Sequence, residues 1–248
     1  MSETGKKLYL YGRNAVSEAL KAGRSIEKLF VDKPPYTGSL QMIVAKAKEQ
    51  RIPVQVCEKE KLAELAQGGH HQGVVASCAA TDYVEVEDIL KAAEEKGEAP
   101  FLLICESIQD PHNLGAILRT AECVGIHGVV VSKHNAVGLT EAVAKTAAGA
   151  LEYVPVAKVS SVAKLIDDLK KRGIWTACAD MDGQNIYETN LKGPLALVIG
   201  GEHEGITRLV KERCDFVISL PMKGKVTSLN ASVAAGIMMY EVAHQRGF

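Results

Sequence analysis

Between residues 101 and 220 six short apolar runs recur, at 101–105, 128–131, 153–156, 174–179, 195–199 and 216–220. None shows the strict apolar–polar alternation of a strand with one wet face, so each reads as a strand covered on both sides. Helical patterns fall between or after them, at 113–124, 141–148, 162–172, 208–212 and 229–245. Strands of this kind alternating with helices predict an α/β fold, a parallel sheet with helices on both faces. Such sheets bind ligands beyond the carboxyl ends of their strands, which directs attention to the loop after each run.

Upstream, shorter elements alternate: a helix at 14–21, a strand at 28–32, a break at Pro34 and Pro35, a helix at 39–50, a strand at 53–56, a short helix at 59–65 and a strand at 73–77. With 248 residues and domains of roughly 100–150 residues as the common size, two domains are expected. The division is 1–80 for a small α/β unit, 81–99 for an acidic linker with a helix at 89–96, and 100–248 for the larger sheet.

The formal net charge of -1 conceals an asymmetry. Residues 1–61 hold twelve Lys or Arg against seven Asp or Glu, whereas 62–98 hold two against eight. The basic excess suits a polyanion such as RNA; on charge alone a solvated basic face is the better account. Six cysteines lie far apart with no Cys-x-x-Cys pair, which favours reduced thiols. The first ten residues lack a signal-peptide core, and no apolar run approaches the roughly 18 residues of a membrane span. A cytoplasmic location without membrane association is the expectation.

Three loops carry unusual residues. The first runs Glu106-Ser107-Ile108-Gln109-Asp110-Pro111-His112-Asn113-Leu114-Gly115 and enters a helix containing Arg119. Asn113 is a candidate N-cap, and Arg119 either pairs with Glu122 three residues on or points at a phosphate or reacting hydroxyl. The second, Ile199-Gly200-Gly201-Glu202-His203-Glu204-Gly205, has glycines spaced unlike a dinucleotide fingerprint or phosphate loop. The third runs from Leu220-Pro221-Met222 to Ser228-Leu229-Asn230-Ala231-Ser232, where Ser228 could cap the final helix. Two adjacent histidines, His70 and His71, lack ligand spacing, so no metal site is expected.

Taken together, these segments resemble the motifs of the SpoU (TrmH-like) branch of the SPOUT RNA methyltransferases over about residues 101–246. The stretches Leu10-Tyr11-Gly12-Arg13-Asn14-Ala15-Val16 and His70-His71-Gln72-Gly73-Val74 look like that family's RNA-binding domain. The resemblance implies a deep C-terminal trefoil knot, where periodicity alone suggests an unknotted sheet. It also implies a homodimer with the active site near the subunit interface, and transfer of a methyl group from S-adenosylmethionine to a ribose 2'-hydroxyl. By position it assigns Gly200, Leu220 and Leu229 to the cofactor, and Asn113, Arg119, Glu202, Ser228 and Asn230 to catalysis. The extra N-terminal unit makes the chain most similar to the bacterial enzymes that methylate a guanosine of large-subunit ribosomal RNA, with transfer RNA the competing substrate.

Two rival readings stand beside this one. A dinucleotide-dependent oxidoreductase fits a wound sheet but lacks an early Gly-x-Gly-x-x-Gly turn; a titration with S-adenosylmethionine and NAD separates them. A non-catalytic RNA-binding scaffold would not need the full set from Asn113 to Asn230, and a methyl-transfer assay decides.

Overall fold

The computed structural model describes residues 9–202, 205–225 and 228–247. The chain divides into two compact units, one up to Asp82 together with Leu139–Glu141, the other Tyr83–Gly138 and Ala142 onward.

In the first unit a four-stranded mixed sheet has the order β1-β4-β2-β3, formed by β1 (Tyr9–Tyr11), β2 (Ile26–Val31), β3 (Val54–Val56) and β4 (Val74–Cys78). One face is sealed by α1 (Arg13–Lys21) and α2 (Ser39–Glu49) through Val16, Leu20, Leu40, Ile43, Leu29 and Val31. The short α3 (Lys59–Leu65) covers part of the other through Leu62 and Ala66. The basic excess of this unit lies at the surface and is partly paired, as in Lys33–Glu58 at 2.5 Å and Lys61–Glu64 at 2.8 Å.

The second unit is a six-stranded, wholly parallel sheet in the order β10-β8-β9-β5-β6-β7. Its strands are β5 (Phe101–Glu106), β6 (Gly128–Ser132), β7 (Val156–Val159), β8 (Trp175–Asn185), β9 (Leu195–Gly200) and β10 (Phe216–Ser219). Its helices are α4 (Val86–Glu95), α5 (Pro111–Cys123), α6 (Glu141–Ala147), α7 (Val162–Lys171), α8 (Arg208–Arg213) and α9 (Ala231–Gln245). Side chains of a strand point alternately to its two faces, and both faces of the central strands are apolar. Leu102, Ile104, Ala196 and Val198 join Ile89, Leu165, Ile166 and Leu169 in one core. Leu103, Cys105, Leu197 and Ile199 are buried on the other face, as are Leu114 and Leu118 of α5 and Met238, Met239 and Val242 of α9. The Cys105 thiol is pushed up to about 12 by this burial.

Several expectations shift. The stretch read as a linker contributes α4, whose Val86 and Ile89 lie in the core of the second unit. The strand expected at 153–156 begins at Val156 instead, because Tyr153 ends a tight 3-10 turn and is 77% exposed. The strand expected at 174–179 runs on to Asn185, since β10 pairs with Cys178 and then, across an irregularity, with Gln184.

Candidate active site

In the sheet, β5 and β9 are neighbours, with Glu106 opposite Gly200 at their carboxyl ends. From β5 the chain leaves through α5 to β6 on one side, and from β9 through α8 to β10 at the opposite edge. Departing in opposite directions opens a crevice between the two strand ends, the topological switch point where wound sheets place their ligands.

The first loop enters α5 through Asp110, whose carboxylate accepts from the His112 amide at 2.9 Å, with Pro111 in the first turn, where its missing N–H costs nothing. Asp110, not Asn113, is therefore the N-cap. Asn113 sits inside the first turn, 6% exposed, and its Nδ2 donates to Glu202 Oε1 at 2.6 Å. The third loop ends at Asn230, and Asn230, not Ser228, caps α9. Its Oδ1 accepts from the amides of Ser232 at 3.0 Å and Val233 at 3.3 Å and from the Ser232 hydroxyl at 2.6 Å. Its Nδ2 donates to Asn113 Oδ1 at 3.0 Å and to Glu202 Oε1 at 2.7 Å.

Three loops thus meet in one polar cluster. Both amide nitrogens hold the same carboxylate oxygen, which fixes the Glu202 carboxylate in place. Glu202 Oε2 has no hydrogen bond to a described residue. Glu202 and Asn113 line a cavity of about 210 Å³ together with Ser107, Ile108, Gln109, Asp110 and Gly201. Whole-ligand pockets run to roughly 300–1,000 Å³, so this cavity is small for a complete ligand.

Close backbone approach shapes the crevice. A Cβ on Gly201 would overlap the carbonyl oxygen of Ser107, and one on Gly200 would overlap the backbone of Gly205. Ser107 itself is left-handed, with φ 57°, an uncommon state for a non-glycine residue that is held here by its N–H donating to Ser132 Oγ at 3.2 Å. Behind it lies a residue that motif reading passed over. Glu106, 6% exposed, accepts from the Thr207 amide at 3.0 Å and its hydroxyl at 2.9 Å. Burial pushes its carboxyl above the ordinary range, against those hydrogen bonds. The signal was available as an acidic residue closing an otherwise apolar strand.

Among the described residues, the other expected ones make no side-chain hydrogen bond to this cluster. Leu220 is half-buried just beyond β10, Leu229 is 39% exposed, and Ser228 is exposed. Arg119 is exposed and, among the described residues, makes no hydrogen bond or ion pair; the pairing with Glu122 does not form. It lies six residues beyond Asn113, about 9 Å along the helix axis and on another face. Nearby, Ala116 and Thr120 of α5 line a groove of about 770 Å³ with Tyr187, Val233, Ile237 and Tyr240. Val233, Ile237 and Tyr240 are 48%, 38% and 47% exposed. His203 lies outside the described residues.

In the first unit, Arg13 is held by Gln72: its backbone N–H donates to Oε1 at 2.9 Å and its Nε to the carbonyl at 3.1 Å. His71 Nδ1 accepts from the Gly73 amide at 3.1 Å, a turn-forming role. Among the described residues no group of three His, Cys, Asp or Glu could hold a metal ion, and no helix is long and apolar enough to cross a membrane.

Residues 100–240 match the model of the SpoU rRNA Methylase family, and residues 9–84 match that described as RNA 2'-O ribose methyltransferase substrate binding. The TrmH family protein YacO of Bacillus subtilis (strain 168) is 51% identical over 240 residues, 96% of each chain. The SpoU methyltransferase AviRb from Streptomyces viridochromogenes, solved in complex with AdoMet, aligns with a TM-score of 0.61 at 23% identity, covering 96% of this chain and 90% of that one. The AdoMet-bound rRNA methyltransferase of Sinorhizobium meliloti aligns with a TM-score of 0.59 at 20% identity, covering 96% and 87%. At these identities the two structures speak to the fold alone.

Proposed function

The chain belongs to the SpoU rRNA Methylase family, and we propose that it transfers a methyl group from S-adenosylmethionine to the ribose 2'-hydroxyl of a guanosine in large-subunit ribosomal RNA. The observation that carries the reading is the Asn113–Glu202–Asn230 cluster on a small cavity at the switch point.

S-adenosylmethionine supplies an already activated methyl group, so the protein's task is to position the hydroxyl and manage its proton. Gly200 and Gly201 pack against the backbone of Gly205 and Ser107 so closely that no side chain fits, which leaves backbone groups to meet this donor, and the aliphatic Leu220 and Leu229 are accessible to it. Gly200, Leu220 and Leu229 would hold it. The free oxygen of Glu202 accepts from the ribose hydroxyl and orients it, while Asn113 and Asn230 keep that carboxylate fixed. Ser228 adds a hydroxyl at the mouth of the site. Arg119 carries a permanent charge and acts on the phosphate beside the target sugar rather than as a base.

Arg119 does not reach the cavity of its own chain, which supports a homodimer. The α5–α9 groove and its exposed Val233, Ile237 and Tyr240 would be covered by a second copy, bringing Arg119 of one protomer beside the cavity of the other. Backbone contact between the loops after β5 and β9 and the packing of α9 on α5 support the trefoil knot that the resemblance implies. The N-terminal unit binds the RNA, with Arg13 presented by Gln72. Six free thiols accord with the reducing cytoplasm. Ribosomal RNA is preferred because the family model matched over residues 100–240 is described as SpoU rRNA Methylase.

Mapping 2'-O-methyl groups in RNA from cells with and without the protein tests this. One site in large-subunit rRNA should vanish with it. Loss confined to transfer RNA would move the substrate there, and an unchanged map would reject the reading.

A further inference from the structure

We propose that Glu106 is a positioning residue of this site: through Thr207 it sets the path of the loop carrying Gly200, Gly201 and Glu202. The proposal rests on the functional reading above for its consequence, though not for its geometry.

Glu106 grips that loop at both ends. Its backbone carbonyl accepts from the Gly201 amide at 2.9 Å, where the chain leaves β9. Its carboxylate oxygens take the Thr207 amide at 3.0 Å and hydroxyl at 2.9 Å, where the chain enters α8. Between these points the Gly205 amide donates to the Gly201 carbonyl at 2.9 Å and closes the turn. The loop is thus a short arch with both feet on one residue of the neighbouring strand, and Glu202 stands on it.

Two observations separate this from ordinary sealing of a strand end. Thr207 is the N-cap residue of α8 yet makes no side-chain cap; its hydroxyl turns to Glu106 instead, although capping is the common use of a threonine there. Glu106 is also a buried carboxylate whose described partners include no cation, and burying such a group is costly unless its hydrogen bonds are well made. An apolar residue would fill the space without that cost but could not hold Thr207. The cluster downstream has little slack, since Glu202 meets Asn113 and Asn230 at 2.6 and 2.7 Å, so a shift of the arch releases both contacts.

The test compares Glu106→Gln, Glu106→Leu and Thr207→Val in full-length protein by steady-state methyl transfer and by amide hydrogen exchange. Glutamine can accept from the Thr207 amide and donate to its hydroxyl, so Glu106→Gln should retain kcat and exchange within about threefold. Glu106→Leu should lower kcat about tenfold or more, leave KM for RNA unchanged and speed exchange at Gly205 and Thr207. Should Glu106→Leu fail to fold, Thr207→Val, a change at an exposed residue, must show the same split in milder form. A folded Glu106→Leu with wild-type kcat and exchange overturns the proposal, as does a loss equal in the Gln and Leu variants. Were the wild-type protein to transfer no methyl group, the functional reading would fall, and exchange at Gly205 and Thr207 alone would decide whether Glu106 holds the arch.

Discussion

Asn113 and Asn230 stand 117 residues apart in the chain, and the Nδ2 of Asn230 donates to the Oδ1 of Asn113 at 3.0 Å. This bond joins the first turn of α5 to the start of α9. Because both amides also donate to Glu202 Oε1, it converts three separate loops into one acceptor site.

Replacing the acceptor should slow the chemistry and spare the fold. Glu202 is exposed, so Glu202→Gln should melt within about 0.5 kcal/mol of wild type. Its free oxygen becomes an amide or loses its charge, and a charge-assisted hydrogen bond worth about 1.5–3 kcal/mol goes with it. Methyl transfer should fall about 10- to 100-fold, measured by labelled methyl incorporation under single turnover.

The two tasks of Asn230 can be separated. Asn230→Ala removes both the cap of α9 and the donor to Glu202, and should cost about 1 kcal/mol of stability as well as activity. Asn230→Ser restores a side-chain cap without the amide. Urea unfolding should show Ser near wild type and Ala below it, while transfer stays low in both.

Arg119 should act on RNA alone. Calorimetric titration of Arg119→Ala is expected to give S-adenosylmethionine affinity within about twofold of wild type. Transfer to RNA should drop by about two orders of magnitude, as for a lost transition-state contact. Normal turnover by this variant would remove Arg119 from the site.

Stability should weaken on acidification through His127. Its Nδ1 accepts from the Phe101 amide at 3.0 Å, which keeps the buried ring neutral with the other nitrogen toward Glu98 at 3.0 Å. Burial holds its pKa below the ordinary 6.5, against the pull of Glu98. With a depressed folded pKa, the unfolded chain takes up the proton first, so this contribution is intact above about pH 6.5 and is lost as pH falls toward the folded value. Melting temperature should therefore drop between pH 7.5 and 5.5, and the drop should be smaller in His127→Gln.

Much of the larger sheet was legible in the sequence, for a physical reason. Phe101 to Cys105 and Leu195 to Ile199 are continuous apolar runs because both their faces are buried, and such runs announce central strands. Elements held by other forces were not. Tyr9–Tyr11 is three half-buried residues at a sheet edge, too short for any period to register. The extension of β8 passes through half-buried Asp180 and exposed Met181 and Asp182, and is carried by the pairing of Gln184 and Asn185 with β10 rather than by hydrophobicity. Helix starts moved because Asp110 with Pro111 and Asn230 outcompete the neighbouring candidates Asn113 and Ser228 for the cap. No spacing rule could have joined Asn113, Glu202 and Asn230; their resemblance to known motifs nominated them, and packing of the sheet brings them within hydrogen-bond reach. Arg119, nominated on the same ground, is exposed and does not line the cavity of its own chain.

The most direct test of the account follows the methyl group itself. Purified protein is incubated with ribosomal RNA and S-adenosylmethionine labelled in the methyl group, and the RNA is digested completely with alkali. A methyl on the ribose 2'-oxygen blocks cleavage of the adjoining phosphodiester, so the label should emerge in a single alkali-resistant dinucleotide and accumulate about 10- to 100-fold more slowly with Glu202→Gln. Label recovered in ordinary mononucleotides would place the methyl on a base and contradict the account, as would RNA that remains unlabelled.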